Sequence, residues 1–248
     1  MNLLIDLGIT RLKWATLEHG QLRPGGVFTH HDRNLAMALR KDWSILPRRL
    51  EVVLVSSVVT EPLEGELAAA CRSLFDIDPK FLKTPEAALG VRTGHKPPAE
   101  LAIDRFLALV AVHVEQPRAQ VLVSCGTAMT LDAIGADGQH HGGLIVASPT
   151  LMRSALRSAM PNFTTHLGQT VEIATARPEA VQSGALLAAV ALIERFRRNS
   201  ATWLGEMPAL IVAGGGSIEL ASLLPDSERR SDLVLHGLAR WSEAEASA

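Results

Sequence analysis

The N-terminal stretch joins a short apolar run to a segment with a two-residue period. Residues 3–5 are apolar and lead into Asp6 and Gly8. In residues 11–16, Arg, Lys and Ala then alternate with Leu, Trp and Thr. This pattern predicts a β-hairpin, and residues 25–29 predict a third strand. A carboxylate at the end of the first strand can face a cleft, and glycine lets a ligand approach the backbone closely. An ordinary hairpin with a turn Asp and Gly is the alternative from this stretch alone.

The following segments alternate between helical and strand patterns. Residues 50–59 are rich in β-branched side chains and predict a buried parallel strand, and residues 79–82 predict a short one. Helices are predicted over residues 35–41, 61–75 and 99–113. The resulting order β-β-β-α-β-α-β indicates a mixed sheet with right-handed crossovers.

Residues 121–146 repeat the plan of residues 3–28: a strand, a glycine break, a second strand, a turn and a third strand. Further along, helices are predicted over residues 149–159, 180–197 and 218–223, and a strand over residues 209–213. A structural repeat with little residue identity indicates two related halves. We therefore predict an N-terminal half at residues 1–115 and a C-terminal half at residues 116–248, with a ligand cleft between them.

Composition and charge narrow the class of protein. The 248 residues are 47% apolar and 20% charged, which is typical of a well-packed globular chain, and the formal charge of −2 gives no electrostatic case for nucleic acid or an anionic membrane. Cys71 and Cys125 cannot form a disulfide framework or a metal cluster, and small buried side chains are expected. No targeting or membrane-spanning segment is indicated, so we expect a cytoplasmic protein.

Three glycine-bearing turns follow apolar strands, at residues 6–8, 125–127 and 213–217. Backbone amides at such turns form concave anion sites. The chain has no Gly-Lys-Ser/Thr sequence, which excludes a Walker A motif. Two of the turns occupy equivalent places in the repeat, and this favours a nucleotide cleft over three unrelated backbone turns.

Asp6, Asp104 and Asp132 are the candidate acids. Asp6 suits a Mg²⁺ ion bound through water, and Thr10 and Lys13 offer a hydroxyl and a cation to a phosphate. Asp104 lies within the helix predicted over residues 99–113, beside Arg105. The pair fits a structural salt bridge, and it also fits a general base with a cation that fixes a substrate.

The chain contains two adjacent histidine pairs, His30-His31 and His140-His141. Adjacent residues do not share a face, and neither pair has carboxylate or cysteine partners at metal-ligand spacing. We predict solvated turn residues at both places. No nucleophile signature such as Gly-x-Ser-x-Gly occurs either.

Taken in order, these residues resemble the type III pantothenate kinases. The resemblance covers most of the chain and rests on a spaced set of motifs: Asp6-Leu7-Gly8-Ile9-Thr10 with Lys13, Asp104-Arg105, Gly126-Thr127-Ala128-x-Thr130-x-Asp132, Gly138 with Gly142-Gly143, Ser183-Gly184 and Gly214-Gly215-Gly216. It implies an α/β protein of the acetate kinase/actin/Hsp70 type, with two ribonuclease-H-like halves around a central nucleotide cleft. It also implies ATP-dependent phosphorylation of pantothenate, the first step towards coenzyme A.

The resemblance further implies roles for single residues. Asp104 would be the base that deprotonates the pantothenate hydroxyl, and Arg105 would fix the pantothenate carboxylate. The first phosphate loop would comprise Asp6, Leu7, Gly8, Ile9, Thr10, Arg11, Leu12 and Lys13, and further nucleotide contacts would come from Gly126, Thr127, Gly214 and Gly215. The substrate pocket would include His95, Ala102, Ile103 and Arg177. A homodimer is implied, with Mg²⁺ and a monovalent cation, K⁺ or NH₄⁺, as cofactors.

Five positions depart from the family pattern. Ile9 stands where Asn is usual, Ala102 where Gly is usual, and His95 where a pocket Tyr is usual; Arg177 matches a substrate-contacting Thr, and Ser124 matches the Asp that binds the monovalent cation. These departures support one alternative, a catalytically degenerate descendant that binds nucleotide or pantothenate as a regulator. Another phosphotransferase or a phosphatase of the same fold is the second alternative.

Overall fold

The computed structural model describes residues 1–30, 35–160 and 168–247. The chain forms two compact units, Met1–Gln116 together with Leu233–Ala248, and Pro117–Asp232. The predicted division after residue 115 lies beside the observed one. The predicted C-terminal half, residues 116–248, differs in that the end of the chain returns to the first unit.

The first unit is built on a five-stranded mixed sheet. In chain order its strands are β1 (Asn2–Leu7), β2 (Arg11–Glu18), β3 (Gln21–Thr29), β4 (Val53–Ser57) and β5 (Lys80–Phe81), and their order in the sheet is β3-β2-β1-β4-β5. A separate small hairpin pairs β6 (Ala87–Ala88) with β7 (Val91–Arg92). The helices of this unit are α1 (Leu35–Asp42), α2 (Glu61–Phe75) and α3 (Ile103–Glu115).

Burial explains why β1 reads as an uninterrupted apolar run. Leu3, Leu4 and Ile5 are fully buried, because β1 lies in the middle of the sheet between β2 and β4 and has both faces covered. One face belongs to a core that includes Trp14, Trp43 and Phe75, in which the Trp14 and Trp43 rings meet edge to face with 6.4 Å between centroids.

The second unit repeats this topology. Its strands are β8 (Gln120–Cys125), β9 (Ala128–Ile134), β10 (His140–Ala147), β11 (Ala209–Ala213) and β12 (Ser227–Arg229), and their order in the sheet is β10-β9-β8-β11-β12. Its helices are α4 (Pro149–Ala159), α5 (Arg177–Leu204) and α6 (Ser217–Ala221). In both sheets the third, second, first, fourth and fifth strands follow one another, so the predicted repeat is confirmed.

The last helix, α7 (Leu233–Ala246), was not predicted. It packs against α3 and β1 of the first unit through buried Leu233, Leu235 and Leu238. At its C-terminal end the Glu245 carboxylate accepts hydrogen bonds from Lys80 and from the Trp241 indole, which lie 2.5 and 2.8 Å away. These contacts order the helix almost to the end of the chain.

The helix α3 starts later than its sequence pattern predicts. Pro98–Glu100 form a single 3₁₀ turn, and Leu101 and Ala102 are extended, so the α-helical hydrogen bonds begin at Ile103. Asp104 therefore lies in the first turn of the helix and not inside it. Among the described residues no helix is long and apolar enough to cross a membrane.

Candidate active site

The turn between β1 and β2, residues 8–10, carries the first candidate phosphate loop. The amide of Gly8 donates a hydrogen bond of 3.0 Å to the carbonyl oxygen of Arg11, which closes the turn. A Cβ added at Gly8 would lie 3.2 Å from that same oxygen, so the tight turn favours glycine. Ile9, at the tip of the turn, is exposed.

The sheet register brings Asp6 together with a cation and a hydroxyl. Asp6 lies opposite Lys13 of β2 and opposite Ser56 of β4. Side chains at directly opposite positions share a face of the sheet, so the half-buried Asp6 carboxylate lies beside both groups. Ser56 is fully buried, and its hydroxyl has no hydrogen-bond partner within the described part of the chain. Asp6 and Lys13, both predicted for the first phosphate loop, therefore lie next to each other.

His30, which directly follows β3, packs against this turn. It is 6% exposed, and its ring Nε2 lies 2.8 Å from the carbonyl oxygen of Gly8. The prediction of a solvated turn residue is wrong, because the end of β3 folds the ring over the β1–β2 turn. Its neighbour His31 lies outside the described residues.

Asp104 and Arg105 open helix α3. Asp104 is half-buried and Arg105 is buried, and the Asp104 carboxylate accepts a hydrogen bond of 2.7 Å from the backbone amide of Arg105. A carboxylate in the first helical turn also interacts favourably with the helix dipole. Ahead of the helix, the Thr84 hydroxyl donates to the Leu101 carbonyl over 2.6 Å and fixes the extended entry to the helix.

The structure places the proposed substrate residues in different elements. His95 precedes the 3₁₀ turn that leads to α3, and its amide donates to the Thr93 hydroxyl over 3.1 Å. Ala102 and Ile103 lie at the N-terminus of α3 next to Asp104. Arg177 is the exposed first residue of α5 in the second unit. His95 and Arg177 therefore belong to separate units.

The two glycine turns of the second unit lie side by side. The strands β8 and β11 run parallel with Ser124 opposite Ala213, so their following turns start at the same edge of the sheet. The amide of Gly216 donates to the carbonyl oxygen of Cys125 over 3.0 Å. Gly126, Thr127, Gly214 and Gly215, all predicted as nucleotide contacts, are exposed along this edge.

The N-terminus of helix α4 is hydrogen-bonded to the Gly126-Thr127 turn. The Ser148 hydroxyl caps α4 by accepting from the Leu151 amide over 3.2 Å, and it donates to the Thr127 carbonyl over 2.9 Å. Arg153, also on α4, is buried and donates to the Glu219 carboxylate of α6 over 3.3 Å. Neither residue was predicted from the sequence; Ser148, directly before Pro149 at the start of the helix, was the available signal for the cap.

Asp132 and His140 form a buried pair on β9 and β10. The His140 Nε2 and the Asp132 Oδ1 lie 2.9 Å apart, and both side chains are almost fully buried. The prediction that His140 is a solvated turn residue is wrong, because its ring is fully buried against Asp132, next to a bulge between His140 and Gly142. Its neighbour His141 is exposed, as predicted.

Comparison with solved structures defines the fold class. Component A of (R)-2-hydroxyglutaryl-CoA dehydratase from Acidaminococcus fermentans matches with a TM-score of 0.58 at 11% identity, over 100% of this chain and 99% of that chain. The activator of 2-hydroxyisocaproyl-CoA dehydratase from Clostridium difficile, solved with bound ADPNP, matches with a TM-score of 0.54 at 11% identity, over 99% and 96%. The chain has the actin-like ATPase fold, as predicted.

Sequence comparison then gives the family. The family model described as type III pantothenate kinase matches residues 2–199. A type III pantothenate kinase from Xanthomonas campestris pv. campestris is 39% identical over 245 residues, which are 98% of each chain. The chain belongs to the type III pantothenate kinase family, and the resemblance noted in the sequence is confirmed.

Proposed function

We propose that this chain phosphorylates pantothenate with ATP, with Asp104 as the base that takes the proton of the acceptor hydroxyl. Membership of the type III pantothenate kinase family makes it a kinase of coenzyme A biosynthesis, with pantothenate and ATP as substrates. The observation that supports the base is the half-buried Asp104 carboxylate in the first turn of α3, beside buried Arg105. In this step the hydroxyl oxygen bonds to the γ-phosphorus, the bond from that phosphorus to the β,γ-bridging oxygen breaks and ADP leaves, and the hydroxyl proton moves to the Asp104 carboxylate.

Each unit carries its own set of candidate phosphate-binding groups. In the first unit these are the turn at residues 8–10 and the Lys13 ammonium. In the second unit they are the backbone amides of Gly126, Thr127, Gly214 and Gly215. Because phosphoryl transfer depends mainly on positioning and on neutralising charge, these fixed donors are what the protein contributes to the reaction.

Asp6 fits the divalent ion that an ATP-using kinase of this fold requires. No cluster of three or more His, Cys, Asp or Glu side chains suited to a metal occurs in the described part of the chain. Mg²⁺ keeps several waters and needs only one or two carboxylates together with substrate phosphates, so a single Asp6 suffices. Bound Mg²⁺ would offset negative charge on the phosphates. Asp6→Asn should raise the Mg²⁺ concentration needed for half-maximal activity, and an unchanged Mg²⁺ dependence would remove Asp6 from this role.

The monovalent-cation position is built from neutral oxygens. Ser124 lies opposite Thr130 across β8 and β9, so both hydroxyls share one face of the sheet. Within the described residues the buried Thr130 hydroxyl has no hydrogen-bond partner. Two hydroxyls fit K⁺ or NH₄⁺ less tightly than the carboxylate usual in the family. Ser124→Asp should therefore strengthen the activation of the enzyme by K⁺; an unaltered K⁺ response would contradict this assignment.

On the substrate side, Arg105 would pair with the pantothenate carboxylate. His95, Ala102 and Ile103 lie in the segment that enters α3 and would line the same pocket. Arg177, at the start of α5 in the second unit, is a further substrate contact that the family resemblance implies. Because a guanidinium attracts an acidic acceptor, Arg105 favours a carboxylate-bearing alcohol over a neutral one.

A homodimer is supported by exposed apolar side chains on neighbouring elements. The edge strand β10 exposes Leu144 and Ile145, and α4 with its C-cap exposes Leu151, Leu156 and Met160. Apolar patches of this kind mark protein interfaces. Ile145→Asp should give a monomer by light scattering, whereas a dimer that survives this change would place the interface elsewhere.

We also place the enzyme in the cytoplasm, where coenzyme A is made.

The decisive experiment measures ADP release by the purified protein at saturating Mg·ATP and K⁺, with and without pantothenate. We expect ADP only when pantothenate is present. ADP formed without pantothenate would indicate an ATPase or another acceptor. A folded protein that binds ATP and releases no ADP would favour the degenerate binding protein instead. In a parallel measurement, pantothenate and Mg·ATP should raise the melting temperature, because ligands stabilise the native state by mass action.

A further inference from the structure

His30 is attached to the β1–β2 turn at two points. Its backbone amide donates to the carbonyl oxygen of Thr10 over 3.4 Å, and its ring Nε2 lies 2.8 Å from the carbonyl oxygen of Gly8. A carbonyl oxygen can only accept a hydrogen bond, so Nε2 carries the proton and donates. The side chain is 6% exposed, which shields this bond from competing water.

Holding the Gly8 carbonyl also fixes the amide of Ile9. Both groups belong to one planar peptide unit, in which the C=O and N–H bonds point in opposite directions when the bond is trans. Among the described residues the Lys96–Pro97 bond is cis, and the bond after Gly8 is trans. Because the Gly8 carbonyl points at His30, the Ile9 N–H points away from it.

We propose that His30 is a positioning residue for ATP binding: its ring orients the Gly8–Ile9 peptide so that the Ile9 amide donates to a phosphate oxygen of the nucleotide. This inference rests on the proposed function, since it assumes that the turn at residues 8–10 binds phosphate. It adds a residue that belongs to none of the motifs by which the family was identified.

The hairpin does not need this bond in order to form. The Gly8 amide already closes the turn through the Arg11 carbonyl, and the β1–β2 register runs without interruption from Asn2 opposite Leu17 to Leu7 opposite Leu12. Removal of the imidazole should therefore leave the fold in place and release one peptide unit to rotate. A loss confined to nucleotide binding separates this role from a structural one.

Three substitutions of His30 test how far from Cα the side chain must carry its hydrogen-bond donor. The amide nitrogen of Gln stands four bonds from Cα, as Nε2 of His does, so His30→Gln keeps a donor near Gly8. In His30→Asn the nitrogen is one bond short, and in His30→Leu there is no donor. The matched control is His19→Asn, which removes an exposed histidine from the turn between β2 and β3.

The measurements are kcat, the KM for Mg·ATP and the KM for pantothenate, together with the Kd of ADP by calorimetry. For His30→Asn and His30→Leu we expect the KM for Mg·ATP and the Kd of ADP to rise roughly 10-fold, the scale of one lost hydrogen bond to a charged group. The KM for pantothenate should stay within about 2-fold of the parent value. His30→Gln should recover most of the lost affinity, and His19→Asn should match the parent.

Equal nucleotide affinity in the Asn and Gln variants would overturn the proposal, and so would parallel increases in both KM values. If His30→Leu fails to fold, the Asn and Gln pair, which differ by one methylene, still decides. A parent protein that binds ADP but leaves pantothenate unphosphorylated would disprove the proposed function, while the ADP affinities continue to test His30. A parent protein that binds no nucleotide would overturn both.

Discussion

The amide of Gly216 donates a hydrogen bond of 3.0 Å to the carbonyl oxygen of Cys125. This bond ties the turn after β11 to the end of β8, and it brings the backbone of Gly216 onto the Cys125 thiol. A Cβ added at Gly216 would lie well under 3.0 Å from the thiol sulfur, a distance that real Cβ atoms essentially never show. The packing of these two residues therefore sets the spacing of the two candidate nucleotide turns.

The first prediction follows from this contact. Gly216→Ala should lower the free energy of unfolding by about 1–3 kcal/mol and weaken ATP binding, because the new methyl group overpacks against sulfur. In a Cys125→Ala background the sulfur is gone, and the nearest remaining atoms are the Cys125 Cβ at 3.3 Å and carbonyl oxygen at 3.6 Å. A double-mutant cycle measured by urea unfolding should show that the second change offsets most of the first. Purely additive losses would contradict the contact.

For Gly214→Ala we expect the opposite result, namely that Cys125→Ala does not offset the loss of stability. Its φ of +86° lies in the left-handed region, and an added Cβ would overlap the backbone carbonyl of Cys125 and not its side chain. Gly214→Ala should therefore be destabilising whether residue 125 is Cys or Ala. Urea unfolding of the parent, the two single variants and the double variant provides the comparison; rescue by Cys125→Ala at this position would show that the backbone of the turn can shift.

The two thiols predict a loss of stability at alkaline pH. Burial raises the pKa of Cys125 to about 11 and that of Cys71 to about 12, from an ordinary value of 9.0. The folded state thus holds both protons more tightly than the unfolded chain does. The stabilisation is complete below pH 9.0 and is lost as the pH rises towards these raised pKa values. The free energy of unfolding should fall less steeply above pH 9.0 in a Cys71→Ala/Cys125→Ala variant than in the parent.

Thiol labelling gives an independent check on the same two residues. Both side chains are buried, and both thiols stay protonated near neutral pH, so a maleimide or disulfide reagent should modify them only when the chain unfolds. Rapid labelling of Cys125 in the folded protein would show that the turn at residues 213–217 opens. Protection of that labelling by ADP would then locate the opening at the nucleotide turns.

Much of the first sheet could be predicted from the sequence, because the local pattern of apolar residues agrees there with the burial of the strands. The run Leu3-Leu4-Ile5 is apolar because β1 is covered on both faces, and Gly8 is favoured by the tight turn that follows. Asp6 and Lys13 were both predicted for the first phosphate loop, and their opposite positions follow from the hairpin register that the same pattern predicts. The periodicity of a sequence can therefore predict how two strands that are neighbours along the chain pair with each other.

The features that were missed depend on contacts remote in sequence. His30 reads as a polar residue after a strand, and its burial arises only when the end of β3 meets the β1–β2 turn. The start of α3 was placed too early because the apolar spacing continues through residues 99–102, while two prolines hold that segment in a 3₁₀ turn and an extended stretch. The apolar periodicity of α7 does not indicate that this helix packs against the first unit.

The proposed base can be separated from a structural acid by a single atom change. In Asp104→Asn the side-chain oxygen can still accept the hydrogen bond from the Arg105 amide, so the start of α3 is preserved. The loss of charge near the helix N-terminus should cost about 0.3–1 kcal/mol, and the melting temperature should change little. Because the amide cannot take a proton, kcat should fall by about 10²-fold or more with ATP binding retained. Glu100→Gln, an exposed acid just before the helix, is the control and should keep full activity. If Asp104→Asn instead lowers the melting temperature markedly and retains kcat, Asp104 serves the helix and the base must be another group.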